Sequence, residues 1–374
     1  FLKWDTNNTP DPFDDAPTAA SPKVGDDLTR LVVGQNDPSA LPENYLLFGA
    51  WKQIYDGSNQ GYTGYFKHPG YWDKGANAGN DPVTGKPDPN APDALLGLNG
   101  TLNFPRETLI ASMDFYTKNN QPVETHTNGS WAAEDYMTAI ELAVANHPTV
   151  KDLRHTFIHG QMEERQIVER SIGKYDELDS TANMYSDLSG TARQEGTDTD
   201  ANGKAWTASE LRAALKNGKL IKDQNLVSSY FINHTYFWGD RHYEMFLGQD
   251  RAERISPLRS ALKRGILFSN HNDTFVTPID PLLSVWSAVN RLTSSGQVLG
   301  EEYTISVMDA LRSVTSWAAY QACEETSKGS LEPGKLADMV VLGDNPLAVD
   351  KKAIHDIPVL ATIVGNELVY GSLE

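Results

Sequence analysis

Side chains that bind metals stand at the ends of several predicted strands. His126 ends the segment QPVETHT and His159 ends LRHTFIHG, while Asp273 ends ILFSNHND, where His271 comes two residues earlier. Two imidazoles and a carboxylate are the donors that a divalent metal such as zinc accepts in proteins. Lys52 lies in a further apolar segment, and an amine of this kind becomes an anionic ligand only after carbamylation by CO₂. These residue types indicate a divalent-metal site.

Each of these residues also has an ordinary structural interpretation. A lone histidine at a strand end is more often a hydrogen-bonded core or rim residue than a metal ligand. Asp273 could cap the following helix, and Lys52 could form a salt bridge. The coincidence of three metal-type residues at strand ends favours a shared site, and the ordinary alternatives stay open at this stage.

Alternating strands and helices supply the elements that would position these side chains. Apolar runs bounded by turn residues predict five strands, at about 46–55, 121–127, 153–159, 225–232 and 266–273. Helical spacing of apolar residues predicts helices at 105–118, 130–146 (with Ser130 as N-cap), 207–217, 253–264, 280–292 and 304–326. This alternation is typical of parallel βα units, whereas residues 328–374 contain short β segments with Pro-Gly and Gly-Asn turns. The sequence therefore predicts an α/β fold followed by a small separate sheet.

Composition excludes several classes of protein. The 374 residues carry a formal charge of −18, and so acidic a chain would repel the phosphates of nucleic acids. We find no uninterrupted apolar stretch of the roughly 18 residues that a membrane helix requires. A single cysteine, Cys323, excludes both a disulfide framework and a thiolate metal cluster. No targeting segment is recognisable, so the choice between a cytoplasmic and a periplasmic location stays open.

Several motifs together resemble a known family. GSLEPGKLADMVVLGDNP at 329–346 is similar to the C-terminal signature of the amidohydrolase superfamily. WKQIYDGS, HTNGSWAAEDYMTAIE, RHTFIHGQ and RISPLRSALKRGILFSNHNDTFVTPIDPL follow the order of amidohydrolase family 3, which includes metal-dependent hydrolases related to N-substituted formamide deformylase. The resemblance extends from about residue 40 to the end of the chain.

The resemblance implies a (β/α)8 TIM barrel of which this chain supplies the last five strands. An acidic loop or junction would occupy 1–40, the barrel portion 41–327, and part of a C-terminal β-sandwich 328–374. Lys52, carbamylated, would be the ligand from the fourth strand, with His126 from the fifth, His159 from the sixth and Asp273 from the eighth. One or two divalent ions, Zn²⁺ above all, would then serve hydrolysis of a non-peptide C–N bond, with Asp273 as general acid and base.

Two departures from the family pattern lead to further expectations. Asn270-His271-Asn272 replaces a smaller pair before the last aspartate. His271 is therefore a substrate-binding group, a group that hydrogen-bonds the metal ligands, or a substitute ligand. His234 and Trp238 are expected to line the pocket of a small-molecule substrate, with ordinary packing as the alternative. The His-x-His motif of the first barrel strand does not occur in the chain. We therefore expect an N-terminal polypeptide of the same protein to complete the barrel, and a homodimer of the completed unit stays open.

Two rival functions belong to other classes. A TIM-barrel glycosidase requires paired carboxylates at strand ends, and the sequence offers only Asp273 with Glu124, two residues before His126. A non-catalytic binding or structural subunit is compatible with the missing His-x-His motif. Metal content separates the hydrolase from both rivals.

Overall fold

A computed structural model describes residues 50–67, 70–72, 99–175 and 199–373. The predicted junction at 1–40 lies outside these residues, and so do residues 176–198. Among the described residues, no helix is both long enough and apolar enough to cross a membrane.

Five parallel strands form the central sheet and follow one another across it in chain order. Their bounds are β1 Trp51–Ile54, β2 Val123–Thr127, β3 Thr156–His159, β4 Val227–Tyr230 and β5 Phe268–Asn270. Parallel neighbours need a crossover connection, and the helices between the strands supply it. The order never reverses along the sheet, unlike that of a doubly wound fold. The predicted α/β class with parallel strands is confirmed.

Helices of different lengths connect these strands. They are α1 Arg106–Lys118, α2 Ser130–Asn146, α3 Arg165–Ser171, α4 Ala208–Ala214, α5 Lys219–Lys222, α6 His234–Arg241, α7 Gln249–Glu253, α8 Leu258–Lys263, α9 Pro281–Asn290, α10 Val307–Ser313 and α11 Ser316–Gln321. A π-helical turn, His242–Phe246, continues α6. The start of α9 follows its local sequence, because Asp280 accepts a hydrogen bond from the Leu283 N–H and proline occupies the first turn.

Two apolar clusters fasten the strands to their helices. One surrounds α2, whose residues are buried from Ser130 to Val144, and includes Tyr136 against Phe157 of β3 with ring centroids 4.8 Å apart. The other packs Tyr230 and Phe268 against side chains of α8, α9 and α10. Close packing of this kind holds the strand ends at defined positions.

The other face of the sheet carries polar side chains. Lys52 pairs in register with Glu124, and Ser229 pairs with Ser269. Residues paired across parallel strands point to the same face. Gln321, at the end of α11, reaches this face and hydrogen-bonds both Ser269 and Glu124.

The five strands do not close on themselves within the described residues. β1 pairs only with β2, and β5 only with β4. Ile54, on the edge strand β1, is 52% exposed. The eight-stranded barrel and the boundaries of its parts therefore stay predictions.

The C-terminal residues form a separate antiparallel sheet, as predicted. Its strands are β6 Met339–Leu342, β7 Val359–Val364 and β8 Glu367–Gly371. Gly365 and Asn366 join β7 to β8 with φ angles of 56° and 70°, which is why these two residue types occupy the turn. All of β8 is exposed, including Val369 and Tyr370. One sheet does not make a sandwich, so that part of the prediction stays open.

Three predicted element boundaries were wrong. Gly129, not Ser130, is the N-cap of α2, because the Ser130 hydroxyl accepts a hydrogen bond from the Lys67 N–H at 3.0 Å. The helix predicted at 253–264 begins only at Leu258, after Pro257, and Glu253 is the last residue of α7. The helix predicted at 304–326 is divided into α10 and α11, because Thr315 has a non-helical backbone.

Candidate metal centre

The carboxyl ends of the inner strands are level with one another. Thr127 of β2 pairs with His159 of β3, which pairs with Tyr230 of β4, and Tyr230 pairs with Asn270 of β5. The strand predicted at 266–273 ends at Asn270, and the next N–H, that of His271, still donates to the Tyr230 carbonyl at 3.0 Å. Side chains at these ends consequently meet at one edge of the sheet.

His159, His271 and Asp273 form a group that can hold a metal ion. One ligand atom from each lies within 4.8 Å of the others. His271 Nε2 and His159 Nδ1 are 3.1 Å apart. Two nitrogens that share one zinc ion at about 2.1 Å would lie roughly 3.0–3.4 Å apart, depending on geometry. His159 and Asp273 also have left-handed backbones, with φ of 71° and 50°, which are uncommon outside functional or strained sites.

Burial keeps these imidazoles neutral. It lowers the pKa of His159 well below the ordinary value, and electrostatic interactions with His126, His271 and Lys52 lower it further. Burial also lowers the pKa of His271 to about 3, with smaller contributions from Lys52 and His126. A neutral imidazole keeps the lone pair that a metal requires. The donor set thus fits a divalent ion in both charge and spacing.

His126 lies beside this group, held by a buried carboxylate. Its ring centroid is 4.3 Å from that of His159. His126 Nδ1 is 2.9 Å from Asp56 Oδ1, and Asp56 is fully buried. A carboxylate accepts only, so His126 donates from Nδ1, and Nε2 is the ring atom that can bind a metal.

Asp56 is a residue of the site that the sequence analysis did not identify. Three backbone N–H groups donate to its carboxylate, those of Tyr65, Asn128 and Gly129, at 2.8–3.0 Å. Asp56 therefore ties the loop after β1 to the loop after β2. The only sequence signal is the pair Asp56-Gly57 directly after a strand, which is typical of a turn.

Lys52 lies on the same face of the sheet as Glu124. Lys52 is an exposed residue, yet neighbouring atoms desolvate its amine. Desolvation lowers the pKa of Lys52, while the negative charges of Glu124 and Asp273 act in the opposite direction. Lys52 thus interacts electrostatically with Asp273.

His234 and Trp238, the predicted pocket residues, lie next to the histidine group. Phe231 stacks on His271 with centroids 5.4 Å apart and contacts His234 edge-on at 4.5 Å. Trp238 is half-buried with its ring 4.8 Å from that of His234. His234 Nδ1 and His242 Nε2 are 2.9 Å apart. Their role in substrate binding stays a prediction.

The aromatic residues between Tyr62 and Trp72 that the structure describes pack as part of the hydrophobic core. Phe66 and Tyr71 are fully buried, with ring centroids 4.8 Å apart. Tyr62 packs between Tyr71 and Phe246. The ordinary packing interpretation accounts for these rings.

Comparison with known proteins finds similarity to one family. The model described as "Amidohydrolase family" matches residues 200–370, which include His271 and Asp273. The resemblance to the amidohydrolase family is confirmed. The chain is 25% identical over 330 residues to a protein named amidohydrolase YtcJ from Bacillus subtilis strain 168, covering 87% of this chain and 48% of that protein.

Two further proteins are similar to this chain. N-substituted formamide deformylase of Arthrobacter pascens is 29% identical over 134 residues, which are 36% of this chain and 24% of the deformylase. The crystal structure of an uncharacterized metal-dependent hydrolase from Pyrococcus horikoshii shares the fold, with a TM-score of 0.53 at 17% identity. That match covers 83% of this chain and 47% of the other. The chain thus spans less than half the length of each of these relatives.

Proposed function

We propose that this chain is part of a metal-dependent hydrolase that cleaves a non-peptide C–N bond in a small molecule, such as an amide, formamide or carbamate. The observation that supports this most is the group of His159, His271 and Asp273 at the carboxyl edge of a parallel sheet. In barrel enzymes this edge is where catalytic residues collect. The amidohydrolase match agrees with a hydrolase, and the deformylase relative suggests the C–N bond.

Zinc is the proposed metal, as one ion or two. His159, His271, Asp273 and His126 would hold it, because imidazole and carboxylate groups are the donors that zinc prefers. Such an ion lowers the pKa of water from 15.7 toward about 7 and polarises a carbonyl group. Lys52 would contribute after carbamylation, and the desolvation that lowers its pKa favours the neutral amine that reacts with CO₂.

Asp273 is the proposed general acid and base. Its carboxylate takes a proton from the attacking water as the new C–O bond forms, and donates that proton to the departing nitrogen as the C–N bond breaks. The left-handed backbone of Asp273 turns the chain out of β5 directly into the group. His234 and Trp238 would contact the substrate from the adjoining aromatic cluster.

An N-terminal polypeptide of the same protein is the proposed partner. It would pair with the edge strands β1 and β5, cover the exposed Ile54 and contribute His-x-His, because unpaired edges and exposed core residues are unfavourable. The barrel and a C-terminal sandwich would both be complete only in that assembly. Intact mass of the purified protein tests this: a 41.2 kDa species that is active alone as a monomer would contradict it.

A non-catalytic subunit is the main alternative. It predicts a purified protein with neither tightly bound metal nor hydrolysis. The glycosidase alternative is disfavoured because imidazoles, rather than a second carboxylate, accompany Asp273 in the group.

The test measures metal content and hydrolysis together. Elemental analysis of the purified protein, with any polypeptide that stays bound to it, should find one or two zinc ions per chain. Chelation should abolish release of amine from a panel of amides, formamides and carbamates, and added Zn²⁺ should restore it. His355→Ala, which changes a histidine that contacts Trp286 and Asp356, is the matched control and should alter neither. A metal-free protein would reject the proposal.

A further inference from the structure

A chain of hydrogen bonds leads from His271 across the polar face of the sheet to α11. Ser229 Oγ is 2.9 Å from His271 Nδ1 and 2.7 Å from Ser269 Oγ. Ser269 Oγ is 2.5 Å from Gln321 Oε1, and Gln321 Nε2 is 2.9 Å from Glu124 Oε1. Three strands and a distant helix thus supply one continuous network.

The direction of every hydrogen bond in this chain follows from counting donors. Glu124 Oε1 accepts from the NH₂ group of Gln321, so the amide oxygen of Gln321 faces Ser269. An amide oxygen also only accepts, so the single hydroxyl proton of Ser269 goes to Gln321. Ser229 therefore donates its own proton to Ser269 and must accept one from His271.

The proton of neutral His271 is consequently on Nδ1. Its lone pair is on Nε2, the atom that lies 3.1 Å from His159 Nδ1 in the candidate metal centre. Ring orientation is fixed as well, because Phe231 stacks on His271 at an interplanar angle of 26°. A histidine that binds metal usually donates its other N–H to a partner of this kind.

We infer that His271 is a ligand of the metal centre through Nε2, and that Ser229, Ser269 and Gln321 are positioning residues that set its tautomer. This inference rests on the proposed metal-dependent function. It distinguishes a ligand role for His271 from the substrate-binding role that the sequence analysis also allowed. It also means that α11 supports the site through Gln321, although this helix carries none of the proposed ligands.

Metal affinity is the first test, measured by competition with a chromophoric chelator on the purified protein with any bound polypeptide. His271→Ala should weaken Zn²⁺ binding more than Ser229→Ala, and Ser229→Ala should weaken it about 10- to 100-fold. Ser229→Thr, which keeps the hydroxyl, should restore affinity to within a few fold of the original. Ser228→Ala is the matched control, because Ser228 is the next residue of β4 and bonds Glu163 instead. Its affinity should be unchanged.

The tautomer of His271 is the second test and does not depend on activity. In metal-free protein labelled with ¹⁵N-histidine, the His271 signals, assigned by their loss in His271→Asn, should report a proton on Nδ1. Gln321→Leu, which breaks the chain far from the metal, should shift this signal toward the Nε2-protonated form.

The outcomes separate the inference from the proposed function. If the wild-type protein binds zinc and His271→Ala binds it equally well while KM rises, His271 contacts substrate and the inference is wrong. A proton on Nε2 in the wild-type protein would also overturn it. If the wild-type protein binds no metal, the proposed function itself fails.

Discussion

His126 and His271 flank His159 on opposite sides, and they are positioned in different ways. Their ring centroids lie 4.3 Å and 4.9 Å from that of His159. Each uses Nδ1 for a hydrogen bond of 2.9 Å, His126 to the carboxylate of Asp56 and His271 to the hydroxyl of Ser229. One partner is charged and the other is neutral.

The comparison separates two ways of preparing an imidazole to bind a metal. A carboxylate both fixes the tautomer and adds negative charge, which makes the ring a stronger donor. A hydroxyl fixes the tautomer only if its own proton is directed elsewhere, which here requires Ser269, Gln321 and Glu124. Asp56 is held by backbone N–H groups, whereas the hydroxyl chain depends on side chains far apart in sequence. We therefore expect the Asp56 arrangement to tolerate distant mutations better.

Removing His159 should have the largest effect on metal binding, because this ring lies next to both His126 and His271. His159→Ala should lower bound zinc and hydrolysis together by orders of magnitude while the fold survives. The measurements are elemental analysis, hydrolysis rate and circular dichroism. Full activity, or bound metal that is unchanged in alanine variants of His126, His159 and Asp273, would contradict the ligand assignment.

Loss of Lys52 should rank next. Lys52→Ala should lose hydrolytic activity, because it removes the carbamylated side chain that would contribute oxygen ligands to the metal. Short carboxylic acids should partly restore the rate by supplying the missing oxygens, and methylated amines of similar size serve as the control additive. A structure of the purified protein with an unmodified Lys52 amine far from any metal would refute this assignment.

Replacing Asp56 by asparagine tests the hydrogen bond between Asp56 and His126 separately from the one between Ser229 and His271. Asp56→Asn keeps the size of the side chain but removes the charge, and it should lower zinc affinity about 10- to 100-fold. Asp114→Asn is the matched control, because Asp114 also bonds a histidine, His147, at 3.0 Å, but outside the group. The control should leave zinc affinity unchanged. Equal affinities in the two variants would show that Asp56 has no influence on the metal.

A fully buried histidine outside the group gives the smallest effect on metal and a clear effect on stability. His155 accepts a hydrogen bond from the Val123 N–H at 3.0 Å, and burial lowers its pKa to about 3. Because the ordinary value is 6.5, the unfolded chain binds one more proton between pH 6.5 and 3, so stability falls as pH falls.

In His155→Gln this dependence should be shallower by up to about 1.4 kcal/mol per pH unit. Denaturant unfolding of metal-free protein at several pH values measures it, and zinc affinity at pH 7.5 should stay unchanged. An unchanged slope would mean that His155 is protonated in the folded chain or shielded equally in the unfolded one.

Much of this architecture could be predicted from the sequence. Apolar runs and helical spacing located five strands and the helices between them, because burial on one face imposes those periodicities. Strand ends also indicated His126, His159 and Asp273, since parallel strands present their carboxyl ends at one edge. Local boundaries were less predictable: Ser130 looked like a helix cap, but a loop more than sixty residues earlier in the chain uses its hydroxyl.

The sequence by itself determined the strand and helix pattern and the residue types that gather at the strand ends. Only the tertiary structure decided which side chains support them. The sequence around Asp56 is typical of a turn. No pattern in the sequence links Ser229, Ser269 and Gln321, because hydrogen bonds between residues 40 to 197 positions apart produce no periodicity. The tautomer of His271 depends on such bonds. It follows from how the strands register and where α11 ends, which no local stretch of residues encodes.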